Sequence, residues 1–409
     1  LDRPVPGQNR PHLIVGSPMD FIPYATQSIN EDDLTAVREV LTSGWLTQGP
    51  AVPRFEQAFA QRHGVAHAVA VSNATAGLHI ACLALGAGPG QTVWTSPNSF
   101  VASANCALYC GARVDFVDID PVTRNMSVTQ LAAKLEQAER HGQLPSIVIP
   151  VHFGGLACDL APMRGLADRY GFRLLEDASH AVGAGYNGQP IGSRYADASV
   201  FSFHPVKIIT TGEGGMVTTQ DAALARRLQL LRSHGITREA SEMQHSNAGA
   251  WHYEQHSLGF NYRMTDIQAA LGYSQLQRID GFHAAREHLA ERYDQLQAGL
   301  PLRRPARVPG PGATARSSWH LYVVEVVPGP GVADRATLFA RLREAGIGVN
   351  VHYEPIPLQP YYRGLGFQPG QFPAAEAYAA QALSIPLYPS LTDAQQDRVV
   401  AALTAALQA

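Results

Sequence analysis

Apolar runs alternate with helical patterns over the first two thirds of the chain. HAVAVS (67–72) is followed by ATAGLHIACLALG (74–86), and QTVWTSP (91–97) by FVASANCALYCG (100–111). RVDFVDID (113–120) reads as a strand with an acidic end; SIVIPVHF (146–153) precedes a helical stretch and then FRLLED (172–177). This order predicts an α/β fold: a mostly parallel sheet with helices on both faces. Ligands of such sheets bind beyond the carboxyl ends of the strands. Asn73, Asp177 and Ser202 fall at or near such ends. No Walker A sequence occurs, so that kind of nucleotide binding has no support.

A long helical pattern over 265–298 reads as a connector, and 301–318 is dense in Pro, Gly and Arg, as a long loop would be. HLYVVEVV (320–327), a helix near 335–345 and IGVNVHYEPI (347–356) suggest a small α+β domain. The expected organisation is an N-terminal arm over 1–28, a large domain over 29–275 and a small C-terminal domain over 276–409. The first twenty residues hold only a four-residue apolar run, which is neither a signal peptide nor a membrane span.

With 409 residues, 45% of them hydrophobic, the chain can bury a large core and is too long for one ordinary domain. A net charge of −3 and the absence of a basic block argue against nucleic acid as a partner. Four cysteines are too few for a disulfide scaffold; Cys106 and Cys110, one helical turn apart in an apolar stretch, read as buried thiols and not as a metal site. No membrane partner is expected, and a cytoplasmic protein fits this composition. The Asn-x-Ser/Thr sequences at Asn73 and Asn125 are not expected to be glycosylated.

Lys207 lies between the apolar strand ASVFSFH (198–204) and IITTGEGGMVTT, a Gly- and Thr-rich turn entering another strand. It is either a charge on a loop tip or a fixed, partly desolvated amine beside backbone that a ligand can approach. The second setting suits a lysine that carries a Schiff base to pyridoxal phosphate (PLP). PLP chemistry needs four supports: that lysine, a carboxylate on the pyridine nitrogen, donors for the phosphate and an apolar cover on the ring. Asp177 ends a buried strand, where a carboxylate is costly without a cationic partner, although it also suits a helix N-cap. His180 reads either as a hydrogen-bond partner of the ring hydroxyl or as a packed loop histidine. Ala74 and Thr75 open a helix, whose N-terminus favours phosphate, and Ser202 adds a hydroxyl. Phe100 is a ring cover or a core residue.

FSFHPVKIITTGEGGMVTT, with EDASHA before it and LGFNYRMTDIQAALGYSQL after it, resembles the nucleotide-sugar aminotransferases of PLP fold type I, in order from about Tyr24 to the C-terminus. The resemblance implies a large domain with a mostly parallel sheet and a small C-terminal α+β domain. It implies PLP as cofactor, L-glutamate as amino donor and a nucleotide sugar as acceptor. Lys207 would be the reacting lysine and Asp177 the partner of the pyridine nitrogen. His180 stands where many members have Gln. Ala74, Thr75 and Ser202 would hold the phosphate, and Phe100 would cover the ring. Asn261 would reach the phosphate of a neighbouring subunit, making the site shared in a homodimer. Tyr24, Gly44, Trp45, Leu46, Thr47, His352 and Tyr353 would line the sugar-nucleotide site. GWLTQGP, SNATAGLH, SPNSFVASANC, HPVKIITTGEGG and VHYEPI are similar to members acting on UDP-linked 4-keto-6-deoxy amino sugars of the pseudaminic acid pathway. The alternative is amination at C4 or C3 of a GDP- or dTDP-linked keto sugar. Relatives that eliminate a hydroxyl from the sugar carry His in place of the lysine, so Lys207 disfavours that chemistry.

Overall fold

The computed structural model describes residues 21–192, 194–244, 249 and 251–408. The first twenty residues of the expected arm lie outside that range. Seven strands form the main sheet: β1 (His67–Val71), β2 (Thr92–Thr95), β3 (Arg113–Phe116), β4 (Ile147–Ile149), β5 (Arg173–Asp177), β6 (Ala198–Ser202) and β7 (Gly215–Thr219). Their spatial order is β1-β7-β6-β5-β4-β2-β3. β7 runs antiparallel to both of its neighbours, and the other pairs are parallel.

Successive side chains of these strands feed two different cores, as the period of two demands. Leu174, Phe201 and Met216 join Phe55 and Phe59 on one face; Leu175, Val200 and Val217 join Leu78, Ile80 and Val93 on the other. Each fully buried side chain of this size contributes roughly 1.5–3 kcal/mol of burial. The helices that cover the sheet and lead away from it are α1 (Glu31–Leu41), α2 (Ala51–His63), α3 (Ala74–Ala84), α4 (Ala102–Tyr109), α5 (Val128–Arg140), α6 (Leu160–Tyr170) and α7 (Ala222–Arg232). α3 packs tightly on the sheet because Gly77 has no side chain: a Cβ there would sit 2.9 Å from Val200 Cγ1.

The helix expected over 265–298 is two helices, α8 (Asp266–Gln277) and α9 (Ile279–Leu296). Arg278 leaves helical geometry at φ −101° and ψ 3° and ends α8, its N–H reaching Gln275 O. Its guanidinium donates to Ser28 O at 3.0 Å and pairs with the buried carboxylate of Asp33. The apolar side chains Leu276, Ile279 and Phe282 stay buried across the break, so the sequence pattern runs on where the backbone does not.

The C-terminal part has its own antiparallel sheet of β8 (Leu302–Arg303), β9 (Tyr322–Val326) and β10 (Ala382–Ile385), with β9 in the middle. Helices α10 (Arg335–Glu344), α11 (Pro360–Gly364), α12 (Pro373–Gln381) and α13 (Asp393–Ala406) complete it. Tyr293, Tyr322, Leu338, Ile347, Val399 and Leu403 share its core. The stretch 347–356 adds only isolated bridges, from Ile347 to Ile22 and from Asn350 to Ser384. Residues 21–28 run along this part: Ile22 is buried in its core, and Leu387 N–H donates to Tyr24 O at 3.0 Å. All four cysteines are free and buried. Among the described residues no helix is long and apolar enough to cross a membrane, and no cluster of His, Cys, Asp and Glu is arranged to hold a metal.

Candidate active site

A cavity of about 950 Å³ opens where β1, β5 and β6 end, closed on one side by residues 350–353 and His320. Tyr24, Ala74, Thr75, Phe100, Asp177, His180, Ser202, Lys207, His352 and Tyr353 all line it.

The turn after β6 delivers Lys207. Thr211 N–H donates to Phe203 O and Phe203 N–H to Gly214 O, both at 2.9 Å, so the loop folds back on the strand end. Lys207 Nζ comes within 3.4 Å of His320 Nε2. Burial pushes the amine down to about 8, against the opposing pull of the Asp177 carboxylate. A lysine so placed holds a usable neutral fraction near neutral pH.

Asp177 is buried at the end of β5. Ser103 Oγ donates to one carboxylate oxygen at 2.6 Å and Ser179 N–H to the other at 3.1 Å. No helix follows Asp177, so it caps none, and no ion pair among the described residues neutralises it. His180 accepts from Gly154 N–H at Nδ1, 3.2 Å away, which leaves the proton of the neutral ring on Nε2. Nε2 is 3.2 Å from Tyr353 Oη. Burial, and then the Lys207 charge, hold this imidazole well below its ordinary range.

α3 begins at the cavity wall. Asn73 caps it by accepting from Ala76 N–H at 2.8 Å. The first N–H groups of a helix have no partner within it, so those of Ala74 and Thr75 remain for an anion. Gly215 lets the helix start sit this close to the sheet: a Cβ there would lie 2.8 Å from Ala74 N and from Asn73 C. Ser202 Oγ stands beside them on β6 and accepts weakly from His204 N–H at 3.4 Å. Phe100 keeps 60% of its surface exposed at the mouth.

His352 is fixed by Ser384 Oγ at 2.7 Å from its Nδ1, and its ring lies 5.7 Å from that of Tyr24. Burial, and then Lys207, push it down to about 3. Gly44, Trp45, Leu46, Thr47 and Asn261 are not on the wall of this chain's cavity. Thr47 bridges Thr265, and Leu46 O accepts from Asp266 N–H, so GWLT lies against the start of α8. Asn261 bridges Ser233, four residues before Thr265. Trp45 and Leu46 are exposed at 58% and 49%. The sequence reading missed His320 and Ser103. Each is a buried polar residue in an apolar stretch, and nothing in its spacing marks it.

Residues 27–404 match the DegT/DnrJ/EryC1/StrS aminotransferase family. The chain belongs to this family. It is 40% identical over 385 residues to the spore coat polysaccharide biosynthesis protein SpsC of Bacillus subtilis, covering 94% of this chain and 96% of that one. Its fold is similar to Helicobacter pylori PseC, an aminotransferase of pseudaminic acid biosynthesis, with a TM-score of 0.85, 29% identity and coverage of 95% and 99%. Streptococcus pneumoniae Spr1654 in its PLP form matches with a TM-score of 0.83, 30% identity and coverage of 94% and 98%. This DegT-family member is therefore a sugar aminotransferase of PLP fold type I, and its cofactor is PLP. The cavity fits that group: a buried carboxylate in no salt bridge, a helix start with free N–H groups and a lysine of lowered basicity share one wall.

Proposed function

We propose that this DegT-family enzyme transfers the amino group of L-glutamate to C4 of a UDP-linked 4-keto-6-deoxy amino sugar. The product would be UDP-4-amino-4,6-dideoxy-N-acetyl-β-L-altrosamine, on the route to pseudaminic acid, made in the cytoplasm. The observation that carries the chemistry is Lys207, with its basicity lowered to about 8, lining one cavity with Asp177 and the start of α3. The likeness to PseC supports the choice of sugar.

When bound, PLP supplies the carbonyl that takes up the amino group and a ring that accepts an electron pair. Lys207 would hold the cofactor through its amine and, as a free amine, would carry a proton to sugar C4 as general acid and base. Asp177, which accepts from Ser103 Oγ and Ser179 N–H, would pair with the pyridine nitrogen. His180 would donate from Nε2 to the ring oxygen, as a Gln amide would. Ala74 and Thr75 N–H and the hydroxyls of Thr75 and Ser202 hold the phosphate. Phe100 covers the ring. Tyr24, His352 and Tyr353 form the sugar side.

Asn261 and the Gly44–Thr47 segment complete the site of a second copy in a homodimer. Their distance from their own cavity, their shared place at the start of α8 and the exposure of Trp45 and Leu46 support this reading. A specific observation favours a second substrate: the 40% identity to a spore coat polysaccharide protein suits amination at C4 or C3 of another keto sugar, GDP- or dTDP-linked. Turnover with glutamate and UDP-, GDP- and dTDP-linked 4-keto-6-deoxy sugars tests the choice. Preference for the UDP-altro substrate supports the first reading, and preference for another sugar replaces it.

A further inference from the structure

Arg286 of α9 is wholly buried, and burial alone pulls its basicity down to about 10, with no carboxylate to offset it. A buried cation without an ion partner is costly. Its bonds go to backbone carbonyls: Nη1 donates to Trp319 O and Leu387 O at 3.0 Å each and lies 3.5 Å from His320 O. Its Nε is buried with no partner. Arg286 and Lys207 also share the wall of one small polar cavity behind the active site, with Thr210 and Gln275.

Two of these carbonyls, those of Trp319 and His320, belong to a strained turn, and the third, Leu387 O, ties that turn to the C-terminal part. Trp319 has a φ of +49°, a left-handed geometry that costs free energy in any residue other than glycine. The neighbouring Glu287 holds the same turn by accepting from Trp319 Nε1 at 2.6 Å. Ser318 Oγ, in the turn, donates to His180 O at 2.5 Å. The turn ends at His320, whose ring centroid is 4.4 Å from that of His180 and whose Nε2 meets Lys207.

We propose that Arg286 is a positioning residue for the Lys207–His320 pair. Its bonds to Trp319 O and His320 O fix the turn that aims His320 Nε2 at the Lys207 amine, and its buried positive charge stands behind that imidazole. The proposal rests on Lys207 being the reacting lysine. Four groups face His320: Lys207 from the loop after β6, His180 from the loop after β5, His352 from the 347–353 stretch and Arg286 from α9. All are cationic or become so on protonation. The carboxylate of Asp177 faces Lys207 from β5. His320 accordingly lies well below its ordinary range, through burial first and then these charges. Removing the arginine charge raises it.

The test is a titration of His320 by NMR on enzyme loaded with pyridoxamine phosphate, which leaves the Lys207 amine free, with ¹³C-labelled histidine and the resonance assigned with His320→Gln. His320 should titrate well below the about 6.5 of a free histidine in the wild type. Arg286→Met should raise that titration toward the free-histidine value and lower kcat roughly tenfold, with KM for glutamate within about twofold. Arg286→Lys, which keeps the charge, should restore the neutral ring. An unchanged His320 titration in Arg286→Met, or Arg286→Lys behaving like Arg286→Met, overturns the proposal. If Arg286→Met does not fold, Arg286→Gln, which keeps a donor for the turn carbonyls without the charge, decides: a raised His320 titration supports the proposal and an unchanged one overturns it. The titration does not depend on turnover, so it stands apart from any failure of Lys207 as the reacting lysine.

Discussion

Lys207 Nζ lies 3.4 Å from His320 Nε2, a contact that spans 113 residues of sequence and joins the large sheet to the C-terminal part of the chain. With burial, it places the lysine among neutral imidazoles and opposite one carboxylate, Asp177. This setting makes Lys207 a weak base while leaving it a proton carrier.

The lowered basicity has a measurable sign. Burial favours the neutral amine, so between about 8 and the ordinary 10.5 the folded chain binds fewer protons at Lys207 than the unfolded chain. Stability of the apo-enzyme therefore rises with pH across that window, and burial of the ammonium is a cost below it. Lys207→Met should remove this cost and stabilise the apo-enzyme at pH 7 by roughly 1–3 kcal/mol, read by denaturant unfolding. The rate of Lys207 labelling by an amine reagent should rise through about pH 8, as its lowered basicity requires.

Asp177→Asn keeps a partner for Ser103 Oγ and removes the negative charge. Turnover should fall by on the order of 10²-fold or more, because the electron sink depends on that charge. Ser103→Ala leaves the charge and should cost about tenfold. Steady-state kinetics on both variants check the order.

Gly215→Ala would drive a methyl group into the backbone at Asn73 and Ala74. Neither neighbour is a flexible side-chain tip, so the start of α3 has to move. The expected loss is about 1–3 kcal/mol of stability, together with weaker PLP retention. Thermal unfolding and PLP release on dilution measure the two effects separately.

If Asn261 serves the site of a partner subunit, Asn261→Ala and Lys207→Ala enzymes should complement each other. A mixed dimer pairs the intact Lys207 of one chain with the intact Asn261 of the other in one site. Denaturing and refolding the two inactive enzymes together should restore activity at one of the two sites. No recovery means both residues serve one chain's own site.

The parallel sheet was legible because its strands are buried on both faces and read as continuous apolar runs between helices. Asp177, Ser202 and Asn73 were legible as strand-end residues for the same reason. The break at Arg278 was not, because it comes from tertiary bonds to Ser28 and Asp33, while Leu276, Ile279 and Phe282 keep the helical period. Strand β10 was missed because ALSI is short and follows α12 without a turn signal. His320 was hidden in an apolar strand pattern; its partner stands 113 residues away, and only the fold brings the two together. The GWLT segment, expected to line the sugar-nucleotide site, lies at the start of α8, a contact with Thr265 and Asp266 that no sequence pattern marks.

The most direct measurement is the glutamate half-reaction, followed by PLP absorbance, in wild type and in Lys207→Ala. The wild type should lose its PLP band on adding glutamate and regain it with a keto sugar nucleotide. Lys207→Ala should fold normally and turn over at least about 10⁴-fold more slowly. Turnover of that variant at the wild-type rate would contradict the role given to Lys207.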